Sequence, residues 1–115
     1  MRNLGEIWLA NFNPGRGTEA DKVRPVLILQ NQALLDADHP STLIIPLTTN
    51  LIDDAEPLRM RIPAQGGLAK NSDLLVDQLR AIDNKRLIEG PLLQLGDKML
   101  KQVYQAVGEV LGVEL

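Results

Sequence analysis

Apolar and polar residues alternate along this chain in short stretches, and only near the C-terminus does the spacing lengthen to that of a helix. Residues 5–12, Gly-Glu-Ile-Trp-Leu-Ala-Asn-Phe, predict a first strand weighted by Trp8 and Phe12 and closed by Pro14. Pro25 to Gln30 contains an unbroken Val-Leu-Ile-Leu, which predicts a second strand buried on both faces. A short helical turn is expected over 31–36, closed by Asp-Ala-Asp-His-Pro-Ser. The third strand runs from Thr42 to Thr48. Pro46 has no N–H for a ladder, so this strand is expected to lie at an edge, to bulge, or to end there.

After an acidic loop over 49–57, Leu58-Arg-Met-Arg-Ile62 alternates cleanly, as a half-exposed strand does. Pro63 to Gly67 reads as a turn. Asp73 to Ile82 reads as one long strand, with Leu74, Val76 and Gln78 on one face and Leu75, Asp77 and Leu79 on the other. Asp83 is a plausible N-cap for a helical turn at Lys85-Arg86-Leu87, and Leu92 to Leu95 predicts a short last strand. Over about 97–111 Leu100, Val103, Tyr104, Val107 and Leu111 recur at helical spacing, predicting a long helix with an apolar face turned to the core. The fold class is therefore mainly β with α, a small antiparallel β barrel or sheet with a C-terminal helix packed on it.

At 115 residues, 44% hydrophobic and 23% charged, the chain reads as one soluble domain, 1–115, with a real core. There is no cysteine, which excludes disulfides and thiolate metal sites. No apolar run is long enough to span a bilayer and the N-terminus has no signal-peptide pattern, so the expected location is cytoplasmic, away from membranes. A net charge of −3 argues against nucleic-acid binding spread over the whole surface, yet seven of the twelve basic residues are arginines, enough for a local site. Trp8, Phe12 and Tyr104 are the only aromatics, too few for a base-stacking platform.

Candidate chemistry concentrates in residues 14–31, a polar loop with Gly15 and Gly17 that runs into Arg24-Pro25 and a strand ending at Asn31. Pro25 biases Arg24 toward an extended backbone, which aims its side chain from a fixed base. A surface hairpin with solvated charges would show the same composition. His39, the one histidine, falls in a polar turn and reads as a surface residue.

Five blocks in order bear on that choice: Gly5-Glu-Ile-Trp-Leu; Pro14-x-x-Gly17-x-Glu19; Arg24-Pro25-Val-Leu-Ile; Pro46-Leu-Thr48-Thr49; and Asp77-Gln78-x-Arg80-x-Ile82-Asp83 with Lys85-Arg86-Leu87. Together they resemble the MazF/PemK (Kid) family of toxin endoribonucleases along essentially the whole chain. The resemblance implies an SH3-like, PemK/CcdB-like barrel working as a homodimer. It also implies a metal-independent mRNA interferase that needs no cofactor, cuts single-stranded mRNA and is held in check by a cognate, MazE-like antitoxin.

By that resemblance Arg24 stabilises the charged phosphorane, a task its planar fork suits, and Thr48 donates a hydrogen bond to the same phosphate. Glu19 serves either as the base or to orient the arginine. Some relatives carry a histidine just before this glutamate, where this chain has Thr18. Asp77 and Gln78 are expected near the RNA site and the dimer interface, and Arg16, Asn31 and Thr49 as further RNA contacts. Some relatives have an arginine where this chain has Leu75; Arg80 and Asp83 read mainly as structural, Arg80 with an interface ion pair in prospect. The alternative is a non-enzymatic SH3-like module that docks on a protein, in which Glu19, Arg24 and Thr48 are inessential.

Overall fold

The computed structural model describes residues 1–12 and 23–115, so the expectations for Gly15, Arg16, Gly17 and Glu19 lie outside the described residues. Seven strands and two helices follow in order: β1 (Glu6–Asn11), β2 (Val23–Ile28), α1 (Gln32–Asp36), β3 (Ser41–Thr48), β4 (Arg59–Ile62), β5 (Ser72–Leu75), β6 (Arg80–Asp83), β7 (Leu87–Gln94) and α2 (Asp97–Leu111). The strands form one antiparallel sheet in the order β4-β5-β3-β2-β1-β7, with β6 also paired to β3.

The unbroken apolar run of β2 is buried on both faces, as expected, and divides the core in two. Leu27 and Leu29 join Ile7, Ile45, Leu47, Met60, Ile62 and Leu74 beneath α2, which contributes Val103, Ala106 and Val107. Val26 and Ile28 face the other way, with Ala10, Ile44 and Ile82, under Trp8, Phe12, Leu35 and Leu87. In β4 the alternation holds, with Met60 and Ile62 buried and the two arginines turned outward. The predicted helix is present over its full span and stops at Gly112, whose φ of 82° suits a residue without a Cβ. Leu111 is the exception to its apolar face and is exposed.

Pro46 is neither on an edge strand nor at a strand end. The Leu29 N–H donates to the Leu43 carbonyl, which makes 29/43, and every second pair from it, the hydrogen-bonding positions between β2 and β3. Pro46, opposite Val26, falls between them, so its nitrogen faces the other side of β3. There β6 pairs only with Ser41–Ile44 and β5 only with Leu47 and Thr48. The missing N–H thus sits in a gap between two partner strands.

The same gap corrects the expected strand over 73–82. A 3-10 turn at Val76–Gln78 separates β5 from β6, and Asp77 and Gln78 are both exposed on it rather than on opposite faces of a strand. Period-two patterning continued through the turn because Val76 is buried there too, with its N–H bonded to the Leu58 carbonyl. Asp83 caps the next 3-10 turn as expected, accepting from the Lys85 N–H at 2.9 Å. The last strand is longer than Leu92–Leu95. Its first half, with exposed Ile88, Gly90 and Pro91, pairs only with β1 through shifted register, and an edge strand tolerates such residues.

Glu6 is buried but satisfied by the Asn3 N–H and Nδ2 and by Trp8 Nε1 at 3.0 Å. A Cβ on Gly90 would overlap the Trp8 indole that this contact orients. Gly90→Ala should therefore destabilise the fold by about 1–3 kcal/mol and shift the emission of Trp8, the only tryptophan. A urea melt followed by Trp8 fluorescence checks both.

Candidate functional site

The ladder between β2 and β3 stops at Val26 and Pro46 for a chemical reason. The next hydrogen-bonding position is 25/47, and Pro25 has no N–H to give to the Leu47 carbonyl. Beyond it, two residues along each strand, stand Arg24 and Thr48. The strand period of two turns them to the same face as Val26 and Pro46. Arg24 is exposed at the start of β2, as the Arg-Pro dipeptide predicts, and Thr48 is half-buried at the end of β3. The two strand ends that carry them are open, unpaired with one another, with Phe12 and Arg80 on the same side of the sheet. The Arg80 guanidinium lies over the Phe12 ring, 4.7 Å from its centroid, so this arginine makes a cation–π contact within the chain.

The register carries the row further. Thr48 pairs with Asp73 of β5, and Asp73 with Arg61 of β4. One face of four adjacent strands thus presents Arg24, Thr48, Asp73 and Arg61 side by side. The Asp73 side chain is only 1% exposed, yet it is well supplied with donors. Its Oδ1 accepts from Arg61 Nε at 2.6 Å; its Oδ2 accepts from Arg59 Nη1 at 3.1 Å and from the Ile52 N–H at 3.0 Å. Burial alone would push its carboxyl up, but the hydrogen bonds from Arg61, Ile52 and Arg59 outweigh that and hold it below the ordinary carboxylate range. The same bond to Asp73, followed by that to Asp53, raises the Arg61 guanidinium.

This cluster grips the loop after Thr48. Arg59 Nη1 also donates to the Asn50 carbonyl at 2.8 Å, and Arg61 Nη2 to Asp53 at 2.8 Å. The Asn50 N–H in turn donates to Thr48 Oγ1 at 3.1 Å. A hydroxyl has one proton and two lone pairs, so this bond leaves the Thr48 O–H as a donor directed away from the amide. Sequence reasoning missed Asp73, Arg59 and Arg61. The available signal was an aspartate inside the apolar run Ser72-Asp-Leu-Leu-Val76, which can be buried there only with partners.

The other expected residues are placed as follows. Asp77 and Gln78 lie on the turn between β5 and β6, opposite the gap beside Pro46, and Thr49 is exposed next to Thr48. Asn31 is not brought to this end. It N-caps α1, accepting from the Ala33 N–H at 2.9 Å, about 20 Å from Arg24 at the rise of an extended chain. A groove of about 730 Å³ between α2 and β4 includes neither Arg24 nor Thr48. Among the described residues no group of three or more His, Asp or Glu is gathered to hold a metal, and no helix is long and apolar enough to cross a membrane.

Comparison with known proteins gives this geometry a family. Residues 3–111 match the model of the PemK-like, MazF-like toxins of type II toxin–antitoxin systems. The chain is 34% identical to the Endoribonuclease MazF of Staphylococcus saprophyticus over 98% of its own length and 93% of that protein's. Its fold is that of solved MazF structures. It superimposes on Mycobacterium tuberculosis toxin MazF-mt6 with a TM-score of 0.77 and 21% identity, over 96% of this chain and 99% of the other. On a MazE–MazF structure from Deinococcus radiodurans the TM-score is 0.78 at 23% identity, covering 98% of each chain. The chain with an arginine and a threonine at the open ends of β2 and β3 belongs to the PemK/MazF family of type II toxins.

Proposed function

We propose that this protein is a sequence-specific, metal-independent endoribonuclease toxin that cuts single-stranded mRNA and is neutralised by a cognate MazE-like antitoxin. The observation that carries the reading is the pair Arg24 and Thr48, on one face of adjacent strands just past the end of their ladder, in a chain of the PemK/MazF family. A scissile phosphate seated there meets a guanidinium fork and a hydroxyl donor together.

In the proposed reaction the 2′-hydroxyl oxygen attacks the adjacent phosphorus and gives up its proton. The P–O5′ bond breaks, and the 5′-oxygen takes a proton as it leaves. The products are a 2′,3′-cyclic phosphate and a 5′-hydroxyl, with no net change in atoms and no redox step. Arg24 and Thr48 hold the phosphorane oxygens, where charge builds up. An arginine is a poor proton acceptor because its guanidinium holds its proton throughout the physiological range. Glu19 is therefore assigned as the base or as the group that orients Arg24, with Arg16, Thr49, Asp77 and Gln78 as RNA contacts. The whole chain acts as a single toxin domain, paired as a homodimer.

Incubation with a long single-stranded RNA in EDTA tests this. Wild type should give discrete cuts with cyclic-phosphate and 5′-hydroxyl ends. Arg24→Ala should lose about 10²–10³-fold in rate, the usual cost of a lost transition-state donor, while staying folded and dimeric. Wild-type cutting by Arg24→Ala would remove the phosphate-stabilising role. Intact RNA with folded wild type would point instead to a contact toxin that works by docking. A second measurement concerns the antitoxin. With a net charge of −3 the toxin should bind it through grooves and apolar anchors, so the binding constant should change little from low to high salt. A steep loss with salt would contradict that.

A further inference from the structure

We infer that Asp73 is a positioning residue for RNA cleavage, a buried carboxylate that sets the Thr48 hydroxyl through the loop it grips. The inference rests on the reading above, in which Thr48 donates to the scissile phosphate.

The connection from Asp73 to Thr48 is an unbroken chain of hydrogen bonds. Asp73 binds Arg59, Arg61 and the Ile52 N–H; Arg59 binds the Asn50 carbonyl; the Asn50 N–H binds Thr48 Oγ1. Thr48 and Asp73 are also direct partners across β3 and β5. Arg61 extends the hold to Asp53, so Asn50, Ile52 and Asp53 are each tied to the arginines or to Asp73. A hydroxyl rotates to suit its neighbours. The Asn50 amide occupies one lone pair and so keeps the proton off that side of the oxygen.

The charges are arranged to keep this grip ionised. Asp73 is depressed in pKa, and at neutral pH it remains a carboxylate between two guanidiniums. Its contribution to stability is fully present above the unfolded carboxyl value of 3.8 and is lost as pH falls below it, through the lower folded value. The Arg61 side chain is 37% exposed, so part of the cluster faces solvent beside the row that begins at Arg24.

A purely structural role and a positioning role make different predictions. If Asp73 acts through Thr48, Asp73→Asn should lower kcat about tenfold, as small misplacements of a positioned group do, with KM changed less than about twofold. On a Thr48→Val background the same substitution should cost less than about twofold, because the hydroxyl it orients is gone. Arg59→Met, which cuts the link to the Asn50 carbonyl and leaves Asp73 paired with Arg61, should repeat both results. It also serves should Asp73→Asn fail to fold. All variants are assayed on one RNA at pH 7, with folding checked by Trp8 fluorescence. A full tenfold loss retained on the Thr48→Val background, or wild-type kcat in both Asp73→Asn and Arg59→Met, would overturn the inference and leave the phosphate reading intact. Wild-type kcat in Thr48→Val would overturn the role of Thr48 and this inference with it, without touching the test of Arg24.

Discussion

Two prolines without N–H groups govern the middle of this sheet. Pro46 turns its nitrogen away from β2 into the gap between β5 and β6, so β3 serves two partner strands in succession at no lost bond. Pro25 turns its nitrogen toward Leu47, where a bond was due, and the ladder stops. One missing donor therefore falls where no partner strand needs it, and the other ends the ladder between β2 and β3. At that opening stand Arg24 on one strand end and Thr48 on the other, the pair on which the proposed chemistry rests.

Charge is used locally in a chain that is acidic as a whole. Asp73 neutralises part of the Arg59 and Arg61 charge while ordering both side chains, which alone would be long and mobile on the surface. Exposed ion pairs contribute little to stability, but this carboxylate is buried and accepts a backbone N–H besides its two arginines. Such a group fixes geometry more than it adds stability, and the geometry it fixes is that of the loop following Thr48.

Much of the fold was legible because burial and periodicity agree in it. The Val-Leu-Ile-Leu run of β2 is buried on both faces, Met60 and Ile62 alternate with outward arginines, and the helix occupies Asp97–Leu111 because its apolar spacing and Gly112 mark both extent and end. Misreadings arose where one pattern serves two structures. Leu74-Val76-Gln78 alternates equally in a strand and through a strand-turn corner, because the corner also buries Val76. The last strand, expected only over Leu92 to Leu95, begins at Leu87, because on an edge paired only with β1 neither Gly90 nor Pro91 breaks a needed bond.

At the site the division is similar. Sequence alone determined which residue types stand in which order: Arg24 before Pro25, Thr48 after Pro46, and a family pattern from the N-terminal strand to the final helix. Backbone chemistry adjoins each of those residues in the chain, so neighbouring letters suffice to read it. Only the tertiary structure decided that Arg24 and Thr48 share a face, that Asn31 serves a helix far from them, and that Asp73 joins Arg59 and Arg61 beside Thr48. Those relations depend on the register between strands distant in sequence, and register is set by packing and hydrogen bonding across the sheet, which no local pattern contains.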